Sequence, residues 1–337
     1  MQDRLLFLIG APRSGSTLLA QMLGAHPSIY APAEPHLLTP LAHLGYYANV
    51  ERAPYDPVIT REAAHALVAA LPRGEAGYLD ALRALADAVY AQLLSASQAD
   101  LLLDKTPAYA LVLDFVAKLY PQARYVVLTR QPLAVWSSYV DSFFDGDFAV
   151  AHAHNPLLER YVPAIARFLR ERPVPLVHVR YEDLVTSPEA ELARICEHIG
   201  VAFHEGMIEY GAGGGARTET GRGLGDPITV AKQTRPVTGS LARWTDALAG
   251  NPARARQSRQ ILDRLTDPDL AAWGYTRSEI GAQLDAVPEG GAQRRPPRLD
   301  RYRLERKLLV LLRRNIHHNA LGRAVRRVRH VCDVLLR

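Results

Sequence analysis

Four short, largely apolar runs are spaced along the first 180 residues, and each ends in small or polar residues. They occupy residues 5–9, 101–103, 125–128 and 174–179. Runs of this kind, which do not alternate with polar residues, are typical of strands buried on both faces of a parallel sheet. We therefore predict four parallel strands.

Between these runs, apolar residues recur every three or four positions, which is the spacing of one helix face. The pattern covers residues 18–23, 76–94, 157–169 and 188–199. Residues 141–154 show little periodicity. Strands that alternate with helices predict an α/β fold, with a central, mostly parallel sheet and helices on both faces. Residues 40–100 form a helical insertion in this fold.

The loop after the first run has the composition of a phosphate-binding loop. Gly10 and Gly15 are separated by four residues. Ser16 and Thr17 follow. This spacing fits the P-loop of nucleotide triphosphatases at every position but one, since the P-loop has lysine where this chain has Ser16. The cation here is Arg13, inside the loop. Loop amides and a helix N-terminus favour a bound anion; the alternative is an ordinary strand-to-helix turn.

The segment at 12–19, Pro-Arg-Ser-Gly-Ser-Thr-Leu-Leu, resembles the 5′-phosphosulfate loop of sulfotransferases that use 3′-phosphoadenosine-5′-phosphosulfate (PAPS). The resemblance, which covers roughly residues 4–277, implies a sulfotransferase fold similar to that of P-loop proteins. It implies PAPS as the sulfonate donor. It also implies that the donor is held by five loop residues, namely Arg13, Ser14, Gly15, Ser16 and Thr17.

A carboxylate and an imidazole lie two residues apart in a proline-rich segment, at Glu34 and His36. Such groups suit the removal of a proton from a hydroxyl group. The pattern Pro-x-Glu-x-His-Leu-Leu is similar to that of sulfotransferase domains in bacterial polyketide assembly lines, which carry both groups. The resemblance implies that Glu34 is the general base. His36 either assists the base or orients the acceptor.

The second run ends in Asp104 and Lys105, followed by Thr-Pro. The residues alone allow an exposed ion pair at a strand end, or an aspartate that holds magnesium as nucleotidases require. In sulfotransferases, Asp-Lys-Thr-Pro places a lysine near the transferring sulfonate. That resemblance implies that Lys105 stabilises charge on the leaving group, without a metal.

Arg130 follows the third run, and Ser138 lies eight residues later, on a helix predicted to begin at Pro132. A guanidinium can bind phosphate through two hydrogen bonds, and a hydroxyl can complete the site. In the family, an arginine and a serine at this spacing hold the 3′-phosphate of PAPS. The resemblance implies this role for both residues.

Two later segments resemble the family more loosely. Tyr181, in Tyr-Glu-Asp-Leu, matches a tyrosine that contacts adenine; its alternative role is that of a buried packing residue. Residues 223–227 and 238–244 are similar to a late loop that covers the 3′-phosphate end of the donor. The candidate contacts in that region are Arg235, Ser240 and Arg243.

The composition restricts the class of protein: 48% of residues are hydrophobic and 22% are charged, as in a globular protein. No apolar run reaches the roughly 18 residues of a membrane span. Because the first predicted strand starts at residue 5, we expect no signal peptide. Cys196 and Cys332 form neither a disulfide framework nor a zinc spacing, so we expect no metal site and a reducing, cytoplasmic location.

The net charge of +5 is unevenly distributed, because residues 294–337 carry 14 Lys and Arg against three acidic residues. We predict a sulfotransferase domain at 1–285, a linker at 286–298 and a basic amphipathic helical tail at 299–337. The tail suits an anionic membrane surface or an acidic carrier protein, and the alternative is packing on the acidic domain. It lacks the aromatic interleaving of a nucleic-acid site, so we expect no nucleic acid as partner.

Together these features predict an enzyme that moves a sulfonate from PAPS to an acceptor hydroxyl by in-line displacement. Glu34 takes the proton, while Arg13 and Lys105 offset charge on the leaving side. The Glu-x-His pattern favours a natural product or lipid-like alcohol as acceptor. One alternative is a kinase-like phosphotransferase that uses ATP and magnesium with Asp104 as metal ligand; the missing P-loop lysine argues against it. A second alternative is a non-enzymatic module that senses a nucleotide or docks on a membrane through the basic tail.

Overall fold

The sheet predicted from the apolar runs is present in the computed structural model, which describes residues 1–48, 50, 57–144, 146–210 and 234–288. Its strands are β1 (Leu5–Gly10), β2 (Ile29–Tyr30), β3 (Leu101–Asp104), β4 (Arg124–Thr129) and β5 (Leu176–Arg180). All neighbouring strands are parallel, in the order β2-β3-β1-β4-β5. The four predicted strands are confirmed, and β2 is a further edge strand.

The helices account for most of the remaining described residues. They are α1 (Ser16–Gly24), α2 (Leu38–Ala42), α3 (Pro57–Ala70), α4 (Gly74–Ser95), α5 (Leu113–Leu119), α6 (Pro132–Phe143), α7 (Phe148–His154), α8 (Leu157–Glu171), α9 (Tyr181–Thr186), α10 (Pro188–Ile199), α11 (Arg243–Leu248), α12 (Pro252–Arg264), α13 (Asp267–Trp273) and α14 (Arg277–Asp285). The predicted helices are confirmed as α1, α4, α6, α8 and α10, and the α/β class with a parallel sheet flanked by helices is confirmed.

The core follows from the sequence pattern. All six residues of β1 are buried, as expected of a central strand covered on both faces. Phe7 stacks against Tyr125 of the neighbouring strand, with ring centroids 5.2 Å apart. In α4, the buried residues recur every four positions and form the apolar stripe of an amphipathic helix. They are Leu82, Ala86, Tyr90 and Leu94.

The described residues fall into two compact units. The first unit contains the whole sheet and comprises residues of Met1–Gln131, Tyr161–Ser240 and Asp267–Thr276. The second comprises residues of Pro132–Arg160 and Leu241–Thr266, and those from Arg277 onward.

Within the second unit, the side chain of Asp147 caps α7 by accepting a hydrogen bond from the Val150 amide at 3.0 Å. Glu159 accepts hydrogen bonds from His152 and Arg264 there, at 2.8 and 2.9 Å.

Several sequence-based predictions concern residues outside these ranges. Residues 223–227 and the basic tail at 299–337 lie outside the described residues. Among the helices that the structure does describe, none is long and apolar enough to cross a membrane.

Candidate active site

The carboxyl ends of the five parallel strands meet at one edge of the sheet, where open α/β sheets bind ligands. Residues 13–17 follow β1 and Lys105 follows β3. Arg130 and Tyr181 follow β4 and β5 directly, and Glu34 comes four residues after β2. The topology therefore brings these loops to one edge from distant parts of the chain.

The loop from β1 to α1 is tightly wound. The Ser14 amide donates a hydrogen bond to the Ala11 carbonyl at 3.1 Å. Arg13 and Gly15 both have left-handed backbones, with φ of +71° and +100°. Gly15 is the N-cap of α1, so no side chain caps this helix, and its first turn contains no acidic residue. The N-terminus of α1 therefore keeps its partial positive charge and its donors for an anion.

Among the buried polar atoms that have no hydrogen-bond partner in the described residues are Oγ of Ser14, in the first loop, and Nε of Arg130, directly after β4. Ser14 is fully buried. Unpaired buried polar groups are rare because they cost free energy, and such a group often marks the place of a bound ion. Both atoms can donate to an oxyanion, so this donor set fits a phosphate or phosphosulfate group.

Arg130 is a buried cation held mainly by neutral groups. Its guanidinium donates to the Ser240 carbonyl at 3.1 Å and to the Arg13 carbonyl at 3.4 Å. It lies over the Tyr181 ring, 4.3 Å from the centroid, while its own carbonyl accepts a hydrogen bond from Trp273 Nε1 at 2.8 Å. Burial lowers the pKa of Arg130. A phosphate dianion would stabilise a charge in these surroundings.

Tyr181 is buried between the first loop and Ser240. A methyl group added at Gly15 would collide with the Tyr181 ring, so the ring lies directly on the loop. Its hydroxyl is 2.7 Å from Oγ of Ser240. These contacts fit the alternative role of Tyr181 as a buried packing residue. Contact between this tyrosine and adenine stays a prediction.

Each carboxylate oxygen of Glu34 has a nitrogen-bearing side chain beside it. Nζ of Lys105 donates to Oε1 of Glu34 at 2.5 Å, and Nε2 of His36 lies 3.4 Å from Oε2. The Glu34 side chain is only 11% exposed, whereas that of His36 is 44% exposed. The same Lys105 ammonium lies 3.5 Å from the hydroxyl of Thr17 on the first loop. Lys105 therefore joins the candidate base to the candidate anion site.

Asp104 is fully buried, and hydroxyl groups surround its carboxylate. Its oxygens accept hydrogen bonds from Tyr90 at 2.6 Å, Thr106 at 2.9 Å and Tyr109 at 3.0 Å. Burial raises the pKa of Asp104, while these three hydrogen bonds lower it. This environment gives no support to the magnesium-ligand role of the kinase alternative. No cluster of three or more His, Cys, Asp or Glu that could hold a metal occurs within the described ranges.

The remaining predicted donor contacts have different surroundings. The Ser240 carbonyl accepts a hydrogen bond from Arg130, and the Ser240 hydroxyl forms one with the Tyr181 hydroxyl. Nε of Arg235 lies 3.0 Å from the carboxylate of Glu209. Ser138, on α6, and Arg243, at the start of α11, belong to the second unit. Their roles stay predictions.

Sequence reasoning assigned no role to Tyr90, Tyr109 or Trp273. The available signal was weak: each side chain carries a hydroxyl or N–H group on a large ring, and such a group usually forms a hydrogen bond when it is buried. Which partner they find depends on the sheet topology. Tyr90 precedes Asp104 by 14 residues, and Trp273 follows Arg130 by 143.

Comparison with known proteins identifies relatives of this chain. A model described as "Sulfotransferase family" matches residues 6–205. The nodulation protein NoeE of Sinorhizobium fredii (strain NBRC 101917 / NGR234) is 33% identical over 204 residues, which are 60% of this chain and 46% of that protein. The chain thus matches about half the length of this relative.

Two solved structures are also similar. The sulfotransferase domain of the Synechococcus PCC 7002 olefin synthase is 29% identical with a TM-score of 0.50, over 71% of this chain and 86% of that domain. The sulfotransferase domain from the curacin biosynthetic pathway is 21% identical with a TM-score of 0.47, over 77% and 96%.

Proposed function

Because the chain belongs to the sulfotransferase family, we propose that it transfers a sulfonate group from PAPS to a hydroxyl group of an acceptor by in-line displacement. One observation carries this proposal. Nζ of Lys105 is within hydrogen-bond distance of both the Glu34 carboxylate and the Thr17 hydroxyl. A carboxylate that can take a proton thus lies next to a loop that suits an anion, with a cation between them.

The donor site is proposed to have two ends. The first loop holds the phosphosulfate through its amides, the charge of Arg13 and the hydroxyls of Ser14, Ser16 and Thr17. The buried Arg130 binds the 3′-phosphate, because its guanidinium is partnered mainly by carbonyls and its Nε has no acceptor in the described part of the chain. The further proposed contacts are Ser138, Tyr181, Arg235, Ser240 and Arg243.

The catalytic residues divide into those that handle the proton and those that offset charge. When bound, PAPS supplies the sulfonate and leaves as 3′-phosphoadenosine-5′-phosphate (PAP). Glu34 accepts the proton of the acceptor hydroxyl at Oε2, the carboxylate oxygen that does not accept the hydrogen bond from Lys105. Lys105 and Arg13 then offset the negative charge that grows on the leaving side. His36, half-exposed beside Glu34, orients the acceptor or assists the base.

For the acceptor, we propose a natural-product or lipid-like alcohol. The similarity to the sulfotransferase domain of an olefin synthase supports an acceptor of this kind. We further propose a cytoplasmic enzyme whose basic tail, residues 299–337, binds an anionic membrane surface or an acidic carrier protein. Sedimentation of the full chain with anionic but not neutral vesicles would indicate the membrane. Sedimentation with neither would exclude the membrane surface and leave a carrier protein or packing on the acidic domain as the role of the tail.

Thermal unfolding with ligands tests the donor class. A ligand at 100 times its dissociation constant stabilises the folded state by about 2.7 kcal/mol, which is readily measured. PAP should raise the melting temperature without magnesium. Adenosine 5′-phosphate, which lacks the 3′-phosphate, should do so much less. A rise with ATP and magnesium but not with PAP would contradict the proposal and favour the kinase alternative.

A further inference from the structure

The segment that carries Glu34 and His36 needs support from elsewhere in the fold. It joins β2 to α2 and contains neither helix nor strand between residues 31 and 37. His36 has a left-handed backbone, with φ of +51°, which is unfavourable for a residue with a side chain. Such a conformation persists only when the surroundings hold it in place.

Two hydrogen bonds from backbone amides to side-chain hydroxyls hold this segment. The His36 amide donates to the hydroxyl of Thr106 at 3.3 Å. The Leu38 amide, at the start of α2, donates to the hydroxyl of Tyr109 at 3.0 Å. Both acceptors are buried and both follow β3. They fix the backbone within two residues of His36 and within four of Glu34.

Both hydroxyls are oriented by one carboxylate. Thr106 donates its proton to Oδ1 of Asp104, and Tyr109 donates its proton to Oδ2. A hydroxyl group has a single proton and two lone pairs, so a proton committed to the carboxylate leaves lone pairs for the amides. Asp104 thereby makes both groups acceptors at the points where the segment needs them.

We propose that Asp104 is a positioning residue, which acts through Thr106 and Tyr109 to hold the backbone that carries Glu34 and His36. This inference rests on the proposed function of Glu34 as the base. A carboxylate that is displaced by a fraction of an ångström loses its alignment with the acceptor proton, whereas donor binding at the first loop is unaffected.

Tyr90 provides a matched control. Like Tyr109 it is a fully buried tyrosine that donates to Oδ2 of Asp104, at 2.6 Å. Unlike Tyr109, it comes from α4 and its hydroxyl makes no hydrogen bond to the segment of Glu34 and His36 in the described structure. Tyr90→Phe and Tyr109→Phe therefore remove the same atom beside the same carboxylate, and only the second releases the Leu38 amide.

The experiment compares both variants by hydrogen–deuterium exchange and by turnover. Exchange in peptides spanning residues 31–38 should be about tenfold faster or more in Tyr109→Phe, and unchanged in Tyr90→Phe. Tyr109→Phe should lower kcat by about tenfold or more at unchanged PAP affinity, whereas Tyr90→Phe should stay within about twofold of the wild type. Equal effects of the two variants on exchange or on kcat would overturn the proposal.

Thr106 gives a second and independent test. Thr106→Val keeps the shape but removes the acceptor of the His36 amide, and Thr106→Ser keeps the hydroxyl. The valine variant should show fast exchange and low kcat, and the serine variant should restore both. If valine and serine behave alike, the hydroxyl does not position the segment. If the wild type transfers no sulfonate at all, the proposed function fails, and the exchange results still decide the role of the network.

Discussion

Glu34 and Lys105 are bound to each other through a hydrogen bond of 2.5 Å, and both side chains are nearly buried. The proposed reaction uses both groups in this arrangement, because Oε2 of Glu34 is a separate acceptor for the proton and the Lys105 ammonium also lies 3.5 Å from the Thr17 hydroxyl on the first loop. The ion pair therefore holds the carboxylate of Glu34 in place through Oε1.

Removal of one partner from this ion pair should destabilise the fold more than removal of both. Lys105→Met leaves a nearly buried carboxylate without its cation and should lower the free energy of unfolding by about 3 kcal/mol. Adding Glu34→Gln removes the unpaired charge and should recover much of that loss. Urea unfolding of the two single variants and the double variant measures this coupling. Additive losses would show that the two charges do not interact.

Gly15 should be required for both its backbone conformation and the absence of a side chain. Gly15→Ala places a side chain at φ +100°, at a cost of about 1–2 kcal/mol, and drives it into the Tyr181 ring. We expect at least a tenfold, or about 1.4 kcal/mol, loss of PAP affinity by calorimetry. Gly74→Ala is the control, since Gly74 has φ +51° and open space beside it. If both variants bind PAP equally well, the loop is not the donor site.

Arg130→Lys should weaken PAP binding selectively. Lysine keeps the charge but loses the planar fork that contacts the carbonyls of Arg13 and Ser240 and covers the Tyr181 ring. We expect about a 10- to 100-fold loss of PAP affinity, as for one or two hydrogen bonds to a charged group. Binding of adenosine 5′-phosphate should change less. Arg167→Lys, on the surface beside Asp114, is the control. Equal losses for both nucleotides would contradict a 3′-phosphate role.

His178 should make the fold sensitive to mild acid. Burial lowers the pKa of His178 to about 4, and its Nε2 lies 2.8 Å from the Thr129 hydroxyl. Between pH 6.5 and about 4, the unfolded chain therefore binds a proton at this residue that the folded chain does not. This contribution to stability is complete above pH 6.5 and declines as the pH falls towards 4.

The test is the difference in melting temperature between pH 7 and pH 5. His178→Gln should reduce the dependence on pH, because the variant has no group to protonate at this position. The matched control is His65→Gln, on the exposed face of α3. An unchanged dependence in His178→Gln would show that this imidazole is not held neutral by the fold.

The sheet could be predicted from the sequence because runs that are buried on both faces have a distinctive pattern. The edge strand β2 could not, because two residues have no periodicity. Helix α7 was also missed. Its stability depends on the Asp147 cap and on burial of Phe148 and Ala151, and seven residues are too few to show a helical repeat.

The loops of the candidate site could be predicted, but their partnerships could not. Glu34 and Lys105 are 71 residues apart, and they meet because β2 lies beside β3 in the sheet. The three hydroxyls around Asp104 come from α4 and from the segment after β3, so they too depend on packing. A local motif predicts which side chains lie at a strand end, whereas the topology decides what they contact.

Transfer of ³⁵S-labelled sulfonate from PAPS tests the central claim most directly, with acceptors that include a long-chain alcohol, a hydroxyacyl thioester and a phenol. We predict labelled product without magnesium or ATP, and a decrease of about 10²–10⁴-fold in Glu34→Gln at unchanged PAP affinity. Glu62→Gln, on the exposed surface of α3, should match the wild type. Transfer by Glu34→Gln at the wild-type rate would contradict the account.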